Sequence, residues 1–254
     1  MAKTLPPITS KQQEILKLLY KYRFLNRTQI QTLLNHKDKR RIISWLKDLR
    51  EKEYIGWQYD TTNFIAKSRP AIYHLSLNGI RHLSSLDKYQ TDELRKRYKE
   101  SSRTQVFIEK CLLIADCCIA LIAKNGHKAQ YTFSLPVEYL DPIDPRHYLN
   151  ELKPHLYFSK RQNNDTTEYF LESFEQTLPR YQLKKRLRDY VEYLDDTNAT
   201  GSVVLFVCAN TADLIYVKRS VRKLIEDNDE LQIRVTTLDK IKTSGITSTI
   251  WEEI

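Results

Sequence analysis

The feature that most constrains the fold of this chain is a change of hydrophobic period within its N-terminal third. Ile15, Leu18, Leu19 and Tyr22 recur at helical spacing. Thr9 and Ser10 stand before them as candidate N-caps after a Pro pair, with Glu14 at capping-box spacing from Lys11. Asn26 then caps a short helix, Arg27–Leu34, with Ile30, Leu33 and Leu34 facing inward. After the turn Asn35–Asp38, a third helix is predicted from Lys39 to Lys52, with Ile42, Trp45, Leu46 and Leu49 as its buried stripe. Two short β-like segments follow, Tyr54–Tyr59 and Ala71–Leu77, flanking a polar tip, Asp60–Pro70. A helical period that gives way to a two-residue period sets three helices in front of a hairpin.

That order is the winged variant of the helix-turn-helix. The outward positions on and before the third helix are Lys37, Lys39, Arg40, Arg41, Ser44 and Lys47, and Arg40, Ser44 and Lys47 share one face. Long cationic side chains on a helix that fits a major groove reach both phosphates and guanine edges. Lys67 and Arg69, near the wing tip, are placed to grip phosphate in an adjacent groove. Charge follows the same division. Residues 1–103 carry 22 Lys and Arg against 10 Asp and Glu, a balance of +12, whereas residues 104–254 carry 19 against 22, a balance of −3. A basic region of this size most often meets nucleic acid. The alternatives are a generally basic soluble surface, or a winged helix that docks protein in a larger assembly.

Tyr73-His74-Leu75-Ser76-Leu77-Asn78-Gly79 leads from the wing into a helix, Ile80–Leu86, with Ser76 as its cap. His74 and His82 read as structural, because no Cys or carboxylate cluster accompanies them. Asp87–Arg103 is charge-dense and reads as a helical linker. The expected domains are therefore 1–86, a winged helix; 87–103, the linker; and 104–254, a second domain.

Composition excludes several function classes. Five Gly in 254 residues is about 2%, against an average near 7%. No GxGxxG, GxxxxGK[ST] or GxSxG occurs, which argues against nucleotide cradles, nucleotide-driven motors and α/β-hydrolase chemistry. Cys111, Cys117, Cys118 and Cys208 form no CxxC and lie in apolar segments, which suits a reducing, cytoplasmic setting. The N-terminus MAKTLPPITS has no apolar core, so no signal peptide is expected. Val106–Ala123 is the most apolar run, but Glu109, Lys110 and Asp116 make it too charged for a membrane span.

The back half opens with a long helix, Ser101–Lys124, apolar on more than one side, fit to be a central helix or a dimer seam. Strand-like runs follow at Ala129–Glu138, Leu156–Lys160, Glu168–Glu172, Val203–Cys208 and Gln232–Leu238, with helices Arg180–Leu194 and Thr211–Asp227 between the later ones. The loop Asp141–Pro154 is long and Pro-containing, of a kind that covers a site or an edge. The expectation is α/β overall: a winged helix-turn-helix and a C-terminal mixed-sheet domain of PD-(D/E)xK nuclease-like topology. Such a nuclease needs an acid entering its second strand, and an acid and a Lys two residues apart on the third. Here the second strand begins Pro154-His155 and the third ends Glu172-Ser173-Phe174. One acid remains and Phe holds the Lys position. If the site is active, Glu172 and His155 are its centre, and Lys184 or Lys185 replaces the missing Lys. Glu138 and Glu109 would add carboxylates, and a His ligand suits Zn²⁺ or Mn²⁺ better than Mg²⁺. The pattern otherwise reads as a scaffold kept for structure or binding, not as an enzyme.

Both halves together resemble the replication-relaxation family of bacterial plasmids and integrated elements. Residues 73–79 are similar to that family's "Y-x-L-T-x-x-G". Pro154-His155, Phe170-Leu171-Glu172, Thr177, and Lys184/Lys185 with Tyr190 are similar to its "P-D", "lEvDxgT" and "K…Y". The resemblance implies a winged helix fused to a PD-(D/E)xK-like domain, associated with plasmid replication, DNA relaxation or transfer. The chain departs from the family at His155 and Phe174, where Asp is expected. The resulting expectation is a cytoplasmic double-stranded-DNA-binding protein of a mobile element. It would be a homodimer, with replication or conjugation proteins as further partners and no membrane association. No cofactor is expected, with Mg²⁺ or Mn²⁺ entering only for a nuclease or nickase centred on Glu172.

Overall fold

The computed structural model describes residues 5–59, 62, 67–86, 89–126, 129–140, 149–163, 165–175, 178–196, 201–225 and 232–254. By contacts the chain divides into two compact units, Met1–Ile119 and Ala120–Ile254.

The first unit begins with α1 (Ser10–Tyr22), β1 (Leu25–Asn26), α2 (Arg27–Leu33) and α3 (Lys39–Glu51), followed by β2 (Ile55–Gln58) and β3 (Ile72–Leu75). The cap of α1 is Thr9, but its box is closed by Gln12, whose side-chain oxygen accepts from the Thr9 backbone N–H at 2.9 Å. The reciprocal partner must stand three residues after the cap, so Glu14 is free to pair with Lys11 at the surface. Asn26 and Gln29 repeat the device on α2. Gln29 also donates its amide to Asp116 at 2.7 Å and to the Leu112 carbonyl at 2.9 Å, so one side chain both caps a helix and ties it to a later one. Burial follows the helical stripes: Ile15, Leu16, Leu19, Ile30, Ile42, Leu46 and Leu49 are closed to solvent. Leu16 takes the place predicted for Leu18. Trp45 is half-buried, edge-on to His36 at 5.0 Å, rather than part of the buried stripe.

The three strands form an antiparallel sheet ordered β1-β3-β2. The two-residue β1 is too short to leave a periodic signal, and the sequence showed only the hairpin. The segment from Tyr73 to Gly79 closes the wing onto the helices through contacts that specify its residues. Ser76 N–H donates to the Tyr54 carbonyl, and Asn78 donates its amide to the Lys52 carbonyl at 2.9 Å. A Cβ at Gly79 would collide with the Tyr54 carbonyl, and one at Gly56 with the His74 imidazole. Two of the few glycines are thus spent on backbone approach. Ser76 stands at the N-cap position of α4 (Leu77–Ser84) without a side-chain cap bond, and the helix starts earlier than the predicted Ile80.

Residues 87–103 read from composition as a linker. In the structure α5 (Thr91–Lys96) and a 3-10 turn, Arg97–Ser102, belong to the first compact unit. Leu94, Arg97 and Glu100 are buried, and Arg23 grips Glu100 through two bonds of 2.9 and 3.1 Å. Several of the charges in this stretch are paired with one another, among them Arg95 with Asp92, Lys96 with Glu93 and Arg97 with Glu100. The division between units falls at 119/120, within α6 (Gln105–Lys124).

The second unit is built on one mixed sheet. Its strands are β4 (Gln130–Ser134), β5 (Leu156–Gln162), β6 (Asp165–Ser173), β7 (Ser202–Cys208), β8 (Gln232–Thr237) and β9 (Glu252–Glu253), adjacent in that order. β6, β7 and β8 run parallel; β4, β5 and β9 pair antiparallel to their neighbours. Every residue of β7 is buried, as a central parallel strand requires. The helices are α7 (Leu149–Leu152), α8 (Arg180–Asp196), α9 (Thr211–Leu224) and α10 (Leu238–Ser244). One sheet face packs Phe170, Phe206 and Val204 against Leu187 and Tyr190 of α8 and Val217 of α9. β4 stops at Ser134, short of the predicted Glu138, because Glu138 accepts the Leu135 N–H at 2.8 Å and turns the chain. Of the predicted loop Asp141–Pro154, residues 141–148 lie outside the described residues. Among the described residues, no helix is long and apolar enough to cross a membrane.

Candidate functional site

Two groups of candidate residues emerged from the sequence; the first lies in the first compact unit and the second, apart from Glu109, in the second unit. The first is the exposed face of α3. Asp38 caps this helix by accepting from Arg40 N–H at 2.8 Å and Arg41 N–H at 3.3 Å. Its buried stripe of Ile42, Leu46 and Leu49 fixes the rotation, which leaves Lys39, Arg40, Arg41, Ser44 and Lys47 in solvent. Lys37, just before the cap, is exposed too. Among the described residues, Lys37, Lys39, Arg40 and Arg41 have no ion-pair partner, while Lys47 lies 3.8 Å from Glu51 with both side chains mostly exposed. Such cations remain available to an external anion. Lys67 and Arg69, in the tip segment, are exposed; tip residues 60–61 and 63–66 lie outside the described residues.

Sequence reasoning passed over three neighbours of this face. The Arg50 guanidinium lies 4.1 Å from the centre of the Trp57 ring, and Trp57 stacks on Tyr59 at 5.5 Å. Burial raises the Tyr73 pKa, and the charges of Arg50 and Arg27 pull it down in part. The signal was present: Trp57 and Tyr59 are two apart in the β-like segment Tyr54–Tyr59 read from the sequence, a spacing that puts them on one face.

The second group surrounds Glu172, at the end of β6. Its carboxylate is buried and its two oxygens have different partners. Oε2 accepts from Arg186 at 2.9 Å and from the Tyr190 hydroxyl at 2.8 Å. Oε1 faces His155 Nε2 at 3.3 Å. Burial pushes the Glu172 pKa up, but His155, Arg186 and the hydrogen bonds from Arg186 and Tyr190 outweigh it, so the carboxyl sits below its ordinary range. Tyr190 moves the opposite way, well up, through burial and the adjacent carboxylate.

This bonding decides what the cluster can do. His155 Nδ1 accepts the Ser173 N–H at 3.1 Å, so a neutral imidazole carries its proton on Nε2, directed at Glu172. Neither ring nitrogen then has a lone pair for a metal, and Arg186 brings a cation where a metal would need to sit. The residues do not fit a divalent ion in this arrangement. Phe174, at the position of the nuclease Lys, is buried and stacked on Phe206 at 5.2 Å. Lys184 and Lys185 are exposed, and the helix position that reaches Glu172 is Arg186. Glu138 is engaged with Leu135 N–H; Glu109, on α6, is exposed in the first unit and accepts from Gln105. No group of three His, Cys, Asp or Glu suited to a metal occurs among the described residues. Sequence inspection missed Arg186, although its spacing from Leu183 and Tyr190 puts it on the inward face of α8. Burial pushes the Cys111 thiol up to about 11 and the Cys208 thiol up to about 12, which disfavours the thiolate at both.

Comparison with known proteins bears on both groups. Residues 16–204 match the family described as Replication-relaxation, a span from α1 into β7 that includes the α3 face and the Glu172 cluster. The chain belongs to the replication-relaxation family. Thr177, one of the residues that suggested this membership, lies outside the described residues. A search of curated proteins finds no match. Among solved structures, the replication-relaxation chain is similar to ZitR, a zinc-responsive MarR family member of Lactococcus lactis. Identity is 17%, coverage is 49% of this chain and 80% of that one, and the TM-score is 0.26. The adhesin competence repressor AdcR of Streptococcus pyogenes gives 21% identity, 46% and 81% coverage, and a TM-score of 0.25. The restriction endonuclease FokI gives 13% identity over 93% of this chain and 45% of that chain, with a TM-score of 0.33.

Proposed function

We propose that this replication-relaxation protein binds double-stranded DNA through a winged helix formed by residues 1–86. In this reading α3 enters the major groove. Arg40, Arg41, Ser44 and Lys47 meet bases and nearby phosphates, and Lys37, Lys39, Lys67 and Arg69 hold the backbone. The observation that carries the reading is the row of exposed cations on α3, without ion-pair partners among the described residues at Lys37, Lys39, Arg40 and Arg41. These stand in a region of net charge +12. The C-terminal domain, residues 104–254, serves as a PD-(D/E)xK-like scaffold for dimerisation or for docking replication or transfer proteins of a plasmid or mobile element. The closed bonding around Glu172 supports a scaffold over a metal-dependent nuclease. A homodimer seam along α6 would give a light-scattering mass of twice 30.2 kDa.

The test is an anisotropy titration of duplex DNA with Arg40→Ala/Lys47→Ala. A base-specific contact is worth about 1–3 kcal/mol, so the double variant is expected to weaken binding by about tenfold or more. Unchanged affinity would remove α3 as the reading element.

A further inference from the structure

The wing carries a second recognition chemistry that the α3 cations do not account for. Ile55, Trp57 and Tyr59 share one face along β2 and the residue after it, and burial falls away along that face: Ile55 is closed to solvent, while Trp57 and Tyr59 are 43% and 41% exposed. Their rings are nearly parallel, at 7°, and the Arg50 guanidinium covers the Trp57 ring. Three planar groups therefore stack at the surface, beside the helix whose outward face is cationic. The Tyr59 hydroxyl donates to the Lys67 backbone carbonyl at 2.9 Å, which fixes the ring's direction, and the Lys67 residue is exposed. Tyr73 stands opposite Trp57 in register, with Arg27 and Arg50 acting on its hydroxyl. Aromatic rings this large are ordinarily drawn into a core. Here they are held outward and stacked, with the Arg50 guanidinium over one of them.

Resting on the DNA-binding reading, we propose that this stack is a platform for an unpaired base, so that the protein prefers duplex interrupted by single-stranded DNA to continuous duplex. The occupant follows from the chemistry. A flat π-surface bearing the Arg50 guanidinium, on a wing whose Lys67 and Arg69 are exposed, suits a planar group carried on an anionic chain. Bases inside a duplex have both faces covered by their neighbours, whereas an unpaired base offers a free face. Stacking on aromatic side chains tolerates any base, so this preference is for DNA structure, while α3 supplies sequence contacts.

The full chain is titrated at low salt against two labelled probes of the same sequence, one a continuous duplex and one with a central gap of about four nucleotides. The gapped probe is expected to bind roughly tenfold tighter, a size typical of one stacked base. Trp57→Ala/Tyr59→Ala should abolish that preference and leave affinity for the continuous duplex within about threefold. Trp57→Phe and Tyr59→Phe keep the π-faces and should keep the preference, which guards against reading a folding defect as a binding one. Arg40→Ala/Lys47→Ala should weaken both probes alike and leave their ratio intact. Equal binding of the two probes by the unaltered protein overturns the proposal and leaves the DNA reading standing. Persistence of the preference in the double alanine variant overturns it as well. Binding to neither probe overturns the DNA reading and this inference with it.

Discussion

Replacing Arg186 with Met removes the cation that faces a buried carboxylate, and the cost can be worked from the geometry. Arg186 Nη2 donates to Glu172 Oε2 at 2.9 Å and to the Lys153 carbonyl at 3.0 Å. The Glu172 side chain is 6% exposed and that of Arg186 22%. Removing one partner of a buried pair costs about 3–5 kcal/mol, because the other charge is left behind. The partial exposure of Arg186, together with the bonds Tyr190 and His155 still make, sets Arg186→Met near the lower end, about 3 kcal/mol. That corresponds to a melting temperature lower by about 6–12 °C for a chain of this size. Urea unfolding at pH 7 followed by circular dichroism measures it. Glu172→Gln/Arg186→Met should recover much of the loss, since no unpaired charge then remains. The sign with pH follows from the lowered Glu172 pKa. Its stabilising contribution is full above the unfolded value of 4.5 and is lost as pH falls through the lower folded value. The gap between wild type and Glu172→Gln should therefore shrink below pH 4.5. A loss under about 1 kcal/mol for Arg186→Met at pH 7 would refute the pairing as described.

Two further outcomes follow from contacts already given. Gly79→Ala should destabilise by about 1–3 kcal/mol, because its Cβ meets backbone, the Tyr54 carbonyl, which cannot swing aside; a urea midpoint equal to wild type would contradict the close approach. Phe174→Lys, which restores the nuclease Lys in sequence, should cost about 3–5 kcal/mol by emptying the Phe206 stack and burying an ammonium. It should yield no plasmid cleavage with Mg²⁺ or Mn²⁺, and cleavage by that variant would count against the closed cluster.

What the sequence disclosed depended on how far each feature was local. Helical stripes such as Ile42, Leu46 and Leu49 are written in period, and they also fix which face of α3 meets water. The succession of strands along the chain was partly legible because β5, β6, β7 and β8 are long enough to show apolar runs. β1 and β9, of two residues each, are held by pairing alone and leave no pattern. The stretch 87–103 read as a linker because its partners lie far away in sequence: Glu100 is buried against Arg23, and Arg97 is buried over Tyr20 while pairing with Glu93 and Glu100, and no local window reveals the contacts to Arg23 and Tyr20. At the Glu172 cluster the sequence supplied the acid and the histidine. The role of Arg186 was hidden beside Lys184 and Lys185, whose charge is the same but whose helical angle points elsewhere. The wing stack was readable as an i, i+2 aromatic pair, yet its third member, Arg50, comes from another element.

The central claim is that the exposed α3 and wing cations bind duplex phosphates. It is tested most directly by measuring duplex affinity against salt concentration. Phosphate contacts release counterions, so the logarithm of affinity falls with the logarithm of salt at a slope of about −0.9 per contact. Lys37, Lys39, Arg40, Arg41, Lys47, Lys67 and Arg69 are all exposed; about five of them in contact predict a slope near −4.5, and Arg40→Ala/Lys47→Ala should make it shallower. No duplex binding at low salt, or a slope flatter than about −1, would contradict the account.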